Sequence, residues 1–148
     1  TTLFISHLFG DISATLFKEL HCPNCTTIGD NDEFNASYYS AIEVADFPNC
    51  EYVGSYAFYR CKNLKTFTFD NCETIAASAF MRTGLEGDIN IPKCGTIEDD
   101  AFYGTPNIQK ISCPKCTTIG MWAFGGSGNL TDIYFPLCTA IGEGAFRA

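Results

Sequence analysis

The 148-residue sequence has one tryptophan, two histidines, two methionines and only nine basic residues against seventeen acidic ones, for a formal charge of −8. So small a basic complement argues against a nucleic-acid or anionic-membrane surface, because either needs a cationic footprint to neutralise phosphate. No run approaches the ~18 apolar residues of a membrane-spanning helix, so membrane insertion is not expected. No charged-then-apolar targeting segment opens the chain. Catalytic signatures are scarce too: there is no nucleophile elbow, no phosphate-cradling glycine loop, and no carboxylate pair set apart from the other exposed acids. A non-enzyme without a cofactor is expected. Disorder is disfavoured by the opposite property, since 46% of residues are hydrophobic and 14% aromatic, too many for a solvated chain.

Cysteine, by contrast, is plentiful, with nine residues, and it is periodic. Cys50, Cys72, Cys94, Cys116 and Cys138 follow one another at intervals of 22 residues. Three residues after each comes Val53, Ile75, Ile97, Ile119 or Ile141, and then an Ala-Phe pair ending in Phe58, Phe80, Phe102, Phe124 or Phe146. A fixed period of this length marks a stacked-repeat architecture. Two looser copies lie upstream: Cys25, Ile28 and Phe34 with one extra residue, and Thr1, Phe4, Leu8 and Phe9 with threonine in the cysteine position. The aromatic ladder therefore comprises Phe9, Phe34, Phe58, Phe80, Phe102, Phe124 and Phe146, beside a cysteine ladder of Cys25, Cys50, Cys72, Cys94, Cys116 and Cys138.

Apolar residues also recur eight, five and three positions before each ladder cysteine, as in Leu64, Phe67 and Phe69 before Cys72. The fourth unit departs, with Glu86 in the first apolar slot and Leu85 displaced by one. This is the leucine-rich-repeat core L-x-x-L-x-L-x-x-[N/C], whose period-2 middle is a short strand. One such unit cannot bury its own apolar stripe, so units stack into a quasi-one-dimensional core. The expected fold is an α/β repeat solenoid: a right-handed stack of about six coils of 22–25 residues forming one domain over residues 1–148. A parallel sheet would form one face, and short turns or helical turns the other. Each ladder thiol, a weak donor at a strand end, should reach a backbone carbonyl. Gly29, Gly54, Gly120 and Gly142, just after the ladder Ile or Val, suggest corners of positive φ. Pro23, Pro48, Pro92, Pro114 and Pro136, two before the cysteine, mark where strand pairing stops.

The run Phe47-Pro48-Asn49-Cys50 through Val53-Gly54, Ala57-Phe58, Cys61 and Leu64 resembles the BspA-like, or Treponema pallidum-type, leucine-rich repeats. The resemblance covers nearly the whole chain. It departs at Cys61, which is matched in other coils by Ser37, Thr83, Thr105 and Ser127. Proteins of this family are typically surface-exposed or secreted by host-associated bacteria and mucosal protozoan parasites. The resemblance implies an extracellular or cell-surface location and a role in adhesion or host interaction, with a protein or glycoprotein ligand.

Other motifs must be weighed within this repeat. Cys22-Pro23-Asn24-Cys25 and Cys113-Pro114-Lys115-Cys116 have the spacing of a redox dithiol or half a zinc site. Each pair, however, is a strand position plus a ladder position, so buried structural thiols without metal or disulfide are expected. His21 should project to the opposite strand face from these cysteines. The acidic runs Asp30-Asn31-Asp32-Glu33 and Asp99-Asp100 match no calcium-loop spacing and suit solvated turns. Sequons stand at Asn24, Asn35 and Asn129.

Outward strand positions form the candidate ligand-binding columns. One comprises Glu19, Val44, Thr66, Asp88, Lys110 and Asp132; its neighbour comprises His21, Asp46, Thr68, Asn90, Ser112 and Tyr134. They vary from coil to coil over a constant core, as recognition residues on a rigid scaffold would. A second candidate surface is the rim bearing Tyr56, Tyr59, Tyr103 and Trp122. The competing expectation is a spacer or assembly repeat, on a cell surface or phage particle, without a ligand of its own. The chain opens and closes on solenoid coils without caps, so it is expected to be a segment of a longer array or to associate end to end.

Overall fold

The computed structural model describes residues 2–3, 17–30 and 41–148. Two kinds of strand alternate along the chain. Two-residue strands follow the ladder position, which is Thr1 in the first coil and cysteine in the others: β1 (Thr2–Leu3), β3 (Thr27–Ile28), β5 (Tyr52–Val53), β7 (Thr74–Ile75), β9 (Thr96–Ile97), β11 (Thr118–Ile119) and β13 (Ala140–Ile141). The apolar-x-apolar segments become β2 (Glu19–His21), β4 (Val44–Asp46), β6 (Thr66–Thr68), β8 (Glu86–Asn90), β10 (Asn107–Ser112) and β12 (Asp132–Tyr134). The odd strands form one seven-stranded sheet in coil order, and the even strands form two three-stranded sheets, β2-β4-β6 and β8-β10-β12. All pairings are parallel.

This parallel β-solenoid corrects the expected architecture on one side of the coil. Among the described residues the even strands run through about five turns, while the seven odd strands span six coil intervals against the about six coils expected; ladder residues Phe9 and Phe34 lie outside the described residues. No helix occurs among the described residues, so the fold there is all-β rather than α/β. The Ala-Phe side is a chain of tight turns whose alternate N–H groups point at the next coil. Tyr56, Phe58 and Arg60 donate to the carbonyls of Ala77, Ala79 and Met81 at 3.1, 2.8 and 2.9 Å. The same three rungs recur from Ser78, Phe80 and Arg82 to Asp99, Ala101 and Tyr103. A helix would spend those donors on its own carbonyls; here they bind one coil to the next.

Holding this path requires left-handed backbone. Tyr56, Ser78, Asp100 and Trp122 in one column, and Arg60 and Arg82 in another, have φ between 54° and 61°. Such a conformation costs roughly 1–2 kcal/mol for a residue with a Cβ, and each of the six donates an inter-coil rung that offsets it.

The corner glycines work differently from the expectation. Gly54, Gly120 and Gly142 do not have positive φ; a Cβ there would lie 2.3–2.4 Å from backbone atoms of the preceding coil. Their role is close approach between coils. Positive φ falls instead on Gly87, Gly104, Gly126 and Gly144.

The buried apolar residues make one continuous cluster along the solenoid. Ladder rings stack coil on coil: Phe58, Phe80, Phe102, Phe124 and Phe146 have successive centroid distances of 5.1, 5.2, 5.2 and 5.3 Å with planes within 7° of parallel. Each thiol of the cysteine ladder, from Cys25 to Cys138, donates to the carbonyl two residues on, at 3.1–3.4 Å. Between them, the proline-containing segments close i to i+3 turns, such as Cys50 N–H to the Phe47 carbonyl at 3.1 Å.

The even-strand sheet breaks between β6 and β8, at the coil whose sequence is irregular. Leu85, one residue early, is fully buried, and Gly87 takes φ +74° with open space where a Cβ would be. Register against β10 slips between Ile108 and Lys110, after which Ile89 and Ile111 pair normally. Phe67 of β6 leans across the break onto the Phe80 ring at 4.9 Å.

Candidate binding surfaces

The two outward columns lie in register within each three-stranded sheet. Glu19, Val44 and Thr66 pair in one row, and His21, Asp46 and Thr68 in the next. In the second sheet Asp88, Lys110 and Asp132 align, as do Asn90, Ser112 and Tyr134. The expected single surface is thus two patches separated by the β6–β8 break. Between the two columns Ala45, Ile89 and Ile111 point inward and are buried, while both flanking positions are wholly or partly exposed.

Much of this face is internally paired. Lys18 and Glu43 approach to 2.8 Å, Lys65 and Glu86 to 3.1 Å, and Lys110 and Asp132 to 2.9 Å. His21 lies between two carboxylates, Nε2 at 3.2 Å from Glu19 and Nδ1 at 3.2 Å from Asp46. Hydrogen bonding to Glu19, then to Asp46, holds the His21 pKa above its ordinary value. These exposed pairs fix side-chain geometry more than they add stability.

Where the strands turn toward the seven-stranded sheet, an amide ladder replaces the ion pairs. Asn49 donates to the Pro23 carbonyl at 2.8 Å, and Asn71 to the Pro48 carbonyl at 2.9 Å and to the Asn49 side chain at 3.0 Å; Lys93 continues the column by donating to Asn71. These residues, with Glu51 and Glu73, line a polar groove of about 440 Å³. Its signal in the sequence is the polar residue before each of the first five ladder cysteines, Asn24, Asn49, Asn71, Lys93 and Lys115, a column that ends at Leu137 before Cys138.

The acidic turn residues have structural partners. Asp30 accepts from the Ser55 N–H at 2.7 Å and the Tyr52 hydroxyl at 3.1 Å, Glu98 from the Ala77 N–H at 3.0 Å, and Asp99 from the Met121 N–H at 2.6 Å. Each carboxylate caps the corner of a neighbouring coil. Asp32 and Glu33 lie outside the described residues, as does the sequon Asn35; Asn24 and Asn129 are exposed.

All nine cysteines are free thiols. In both Cys-Pro-x-Cys motifs the second cysteine's N–H donates to the first one's carbonyl, at 3.1 Å, so each motif is a turn of the repeat. Burial pushes the Cys61 and Cys72 thiols up to about 12. It also raises Cys94 and Cys113. Such thiols are protonated and poor nucleophiles. Among the described residues, no group of three or more His, Cys, Asp or Glu side chains is arranged to hold a metal ion. In the slot of Cys61, Thr83 and Thr105 are buried and donate to the Phe80 and Phe102 carbonyls at 2.9 and 2.6 Å.

The rim opposite the even strands carries aromatic side chains. Tyr56 and Tyr59 meet edge to face at 5.6 Å, and Tyr103 and Trp122 at 6.4 Å. Trp122 lies against Gly144, where a Cβ would come within 2.9 Å of the indole. Tyr56 and Met121 are exposed; Tyr59, Tyr103 and Trp122 are half-buried.

Comparison with known proteins agrees with this geometry. Among curated proteins, none matches the chain. Among solved structures, a leucine-rich cell surface protein from Faecalibacterium prausnitzii A2-165 is similar, with a TM-score of 0.71 at 24% sequence identity, over 81% of this chain and 32% of that one. The chain therefore spans about a third of that protein's length, and the likeness concerns the fold. Residues 26–148 match the BspA-type leucine-rich repeat region in six copies. Carrying that repeat over most of its length, the chain belongs to the BspA-type leucine-rich repeat family.

Proposed function

We propose that this chain is a non-catalytic protein-binding module of a cell-surface or secreted protein, acting in adhesion or host interaction. Its ligand is a protein or glycoprotein engaged by the outward strand columns. The observation that carries this reading is the register: side chains of differing chemistry stand side by side on parallel strands, over an apolar core whose cysteine and Ala-Phe ladder positions repeat from coil to coil. Rigid strands hold such groups more precisely than loops do. The surface location is supported by family membership and by the cell-surface description of the F. prausnitzii protein. Among the described residues, no helix is long and apolar enough to cross a membrane.

Alanine substitution of His21, Asp46 and Thr68 in one patch, and of Asn90, Ser112 and Tyr134 in the other, tests the reading against a panel of immobilised matrix glycoproteins. Loss of binding with an unchanged fold is expected in at least one set. Binding that survives both sets overturns the strand-face assignment. The spacer reading is favoured by one observation, the mutual pairing of Lys18, Lys65, Lys110 and His21 with carboxylates on the same face. A spacer would show no ligand in that panel.

A further inference from the structure

The chain has three arginines, Arg60, Arg82 and Arg147, and all three stand on the turn edge just after a ladder phenylalanine. All are exposed. The ion pairs among the described residues use Lys18, His21, Lys65 and Lys110, and none uses an arginine. In a chain of formal charge −8, the guanidinium groups are thus gathered on one edge and, among the described residues, form no ion pair with a carboxylate. Asp100 and Glu143 share this edge without pairing to them; burial and the neighbouring Asp99 raise the Asp100 pKa, the reverse of what an arginine contact would do.

The arginines are held in place. Arg60 and Arg82 have φ of 60° and 58°, and their N–H groups donate to Met81 and Tyr103 at 2.9 and 2.7 Å. The Arg60 guanidinium lies over the Tyr59 ring at 4.9 Å, and that of Arg147 over the Trp122 ring at 5.4 Å. Stacking on a ring leaves the N–H edges of a guanidinium free for bidentate contact with a carboxylate. Arg60 and Arg82 are on adjacent coils, roughly 4.7–4.9 Å apart at the usual strand spacing, and Arg147 is three coils beyond, roughly 14 Å on. Met81, Tyr103 and Trp122 lie between.

We propose that this arginine and aromatic edge is a second docking surface, and that its occupant is a short acidic polypeptide segment in which carboxylates alternate with apolar side chains. Charge complementarity selects carboxylates. The apolar and aromatic surface between the arginines selects the alternation, since Trp, Tyr and Arg together are the usual anchors of a protein contact. A dense polyanion fits poorly, because the net negative charge of the chain repels it at longer range. The inference is independent of the strand-face reading, which concerns other residues.

Trp122 is the only tryptophan and reports on this edge directly. The test titrates the protein with a capped peptide of alternating aspartate and leucine, following Trp122 emission and heat of binding. A neutral asparagine–leucine peptide and heparin are the comparison arms. The comparison variant is Arg60→Asn, Arg82→Asn and Arg147→Gln, because asparagine tolerates left-handed backbone and the fold is checked by circular dichroism. Saturable binding of the acidic peptide is expected, weakened by added salt, at least about tenfold weaker in the variant and undetectable with the neutral peptide. No saturable binding overturns the proposal. So does equal affinity in the folded variant, or tighter binding of heparin than of the peptide.

Discussion

The strand face and the turn edge are built from the same repeat, yet they leave their charged side chains in opposite conditions. On the strand face Lys18, Lys65 and Lys110 each meet a carboxylate of the next coil. On the turn edge Arg60 and Arg147 lie over aromatic rings and Arg82 is exposed. The difference begins in the backbone. Side chains on parallel strands stand directly beside those of the next coil, so opposite charges pair across the ladder. On the turn edge the three backbone rungs per coil and the left-handed residues already join the coils, and the side chains are released outward. Paired charges define a surface; unpaired ones offer it a partner.

The comparison breaks most severely in the core that both faces share. Phe80→Ala removes a fully buried ring stacked between Phe58 and Phe102. A loss of about 3–5 kcal/mol is expected, measured by urea unfolding. Gly120→Ala comes next: its Cβ would sit 2.4 Å from the Asp99 backbone N, between consecutive coils. A cost near ~3 kcal/mol is expected; a near-neutral result would show that coil spacing is looser than the glycine column implies.

Smaller effects sharpen the contrast between the faces. A double-mutant cycle on Lys65 and Glu86, with Lys65→Met and Glu86→Gln, should give a coupling of about 0.2–1 kcal/mol that falls with salt. The His21 bridge should show itself through pH. Because folding raises the His21 pKa, its contribution is fully present below the unfolded value near ~6.5 and disappears as pH rises through the folded value. Nuclear magnetic resonance titration of His21 should place its midpoint above the ordinary range, and Glu19→Gln with Asp46→Asn should bring it back down. An unchanged midpoint in that variant would show that the bridge does not persist in solution.

The ladder residues were legible because burial repeats with the chain. Cys72, Ile75, Ala79 and Phe80 recur in step, and the thiol-to-carbonyl contact follows from a weak donor at a strand end. The even strands and their register were equally plain from the apolar-x-apolar spacing. The second sheet was missed because its strands are only two residues long, too short for period-2 alternation to register. The pairs Thr74-Ile75, Thr96-Ile97 and Thr118-Ile119 carry the β-branched signal that could have revealed it. Helical turns were expected on the Ala-Phe side because composition does not say whether an N–H bonds within its own coil or to the next. The carboxylates of Asp30 and Asp99 read as solvated turns for the same reason: their partners are backbone groups about one coil away, on the neighbouring corner. Residue type also could not separate glycine needed for φ, as at Gly87, from glycine needed for space, as at Gly54.

On the proposed reading, the inward residues hold the solenoid and the outward columns carry recognition. Its most direct test is one variant carrying both sets together, His21→Ala, Asp46→Ala, Thr68→Ala, Asn90→Ala, Ser112→Ala and Tyr134→Ala, measured for thermal midpoint and for binding to the matrix glycoprotein that the unaltered chain retains best. The expected result is a midpoint close to that of the unaltered chain, with binding to that glycoprotein lost. A large fall in the midpoint, or binding that persists unchanged, would contradict it.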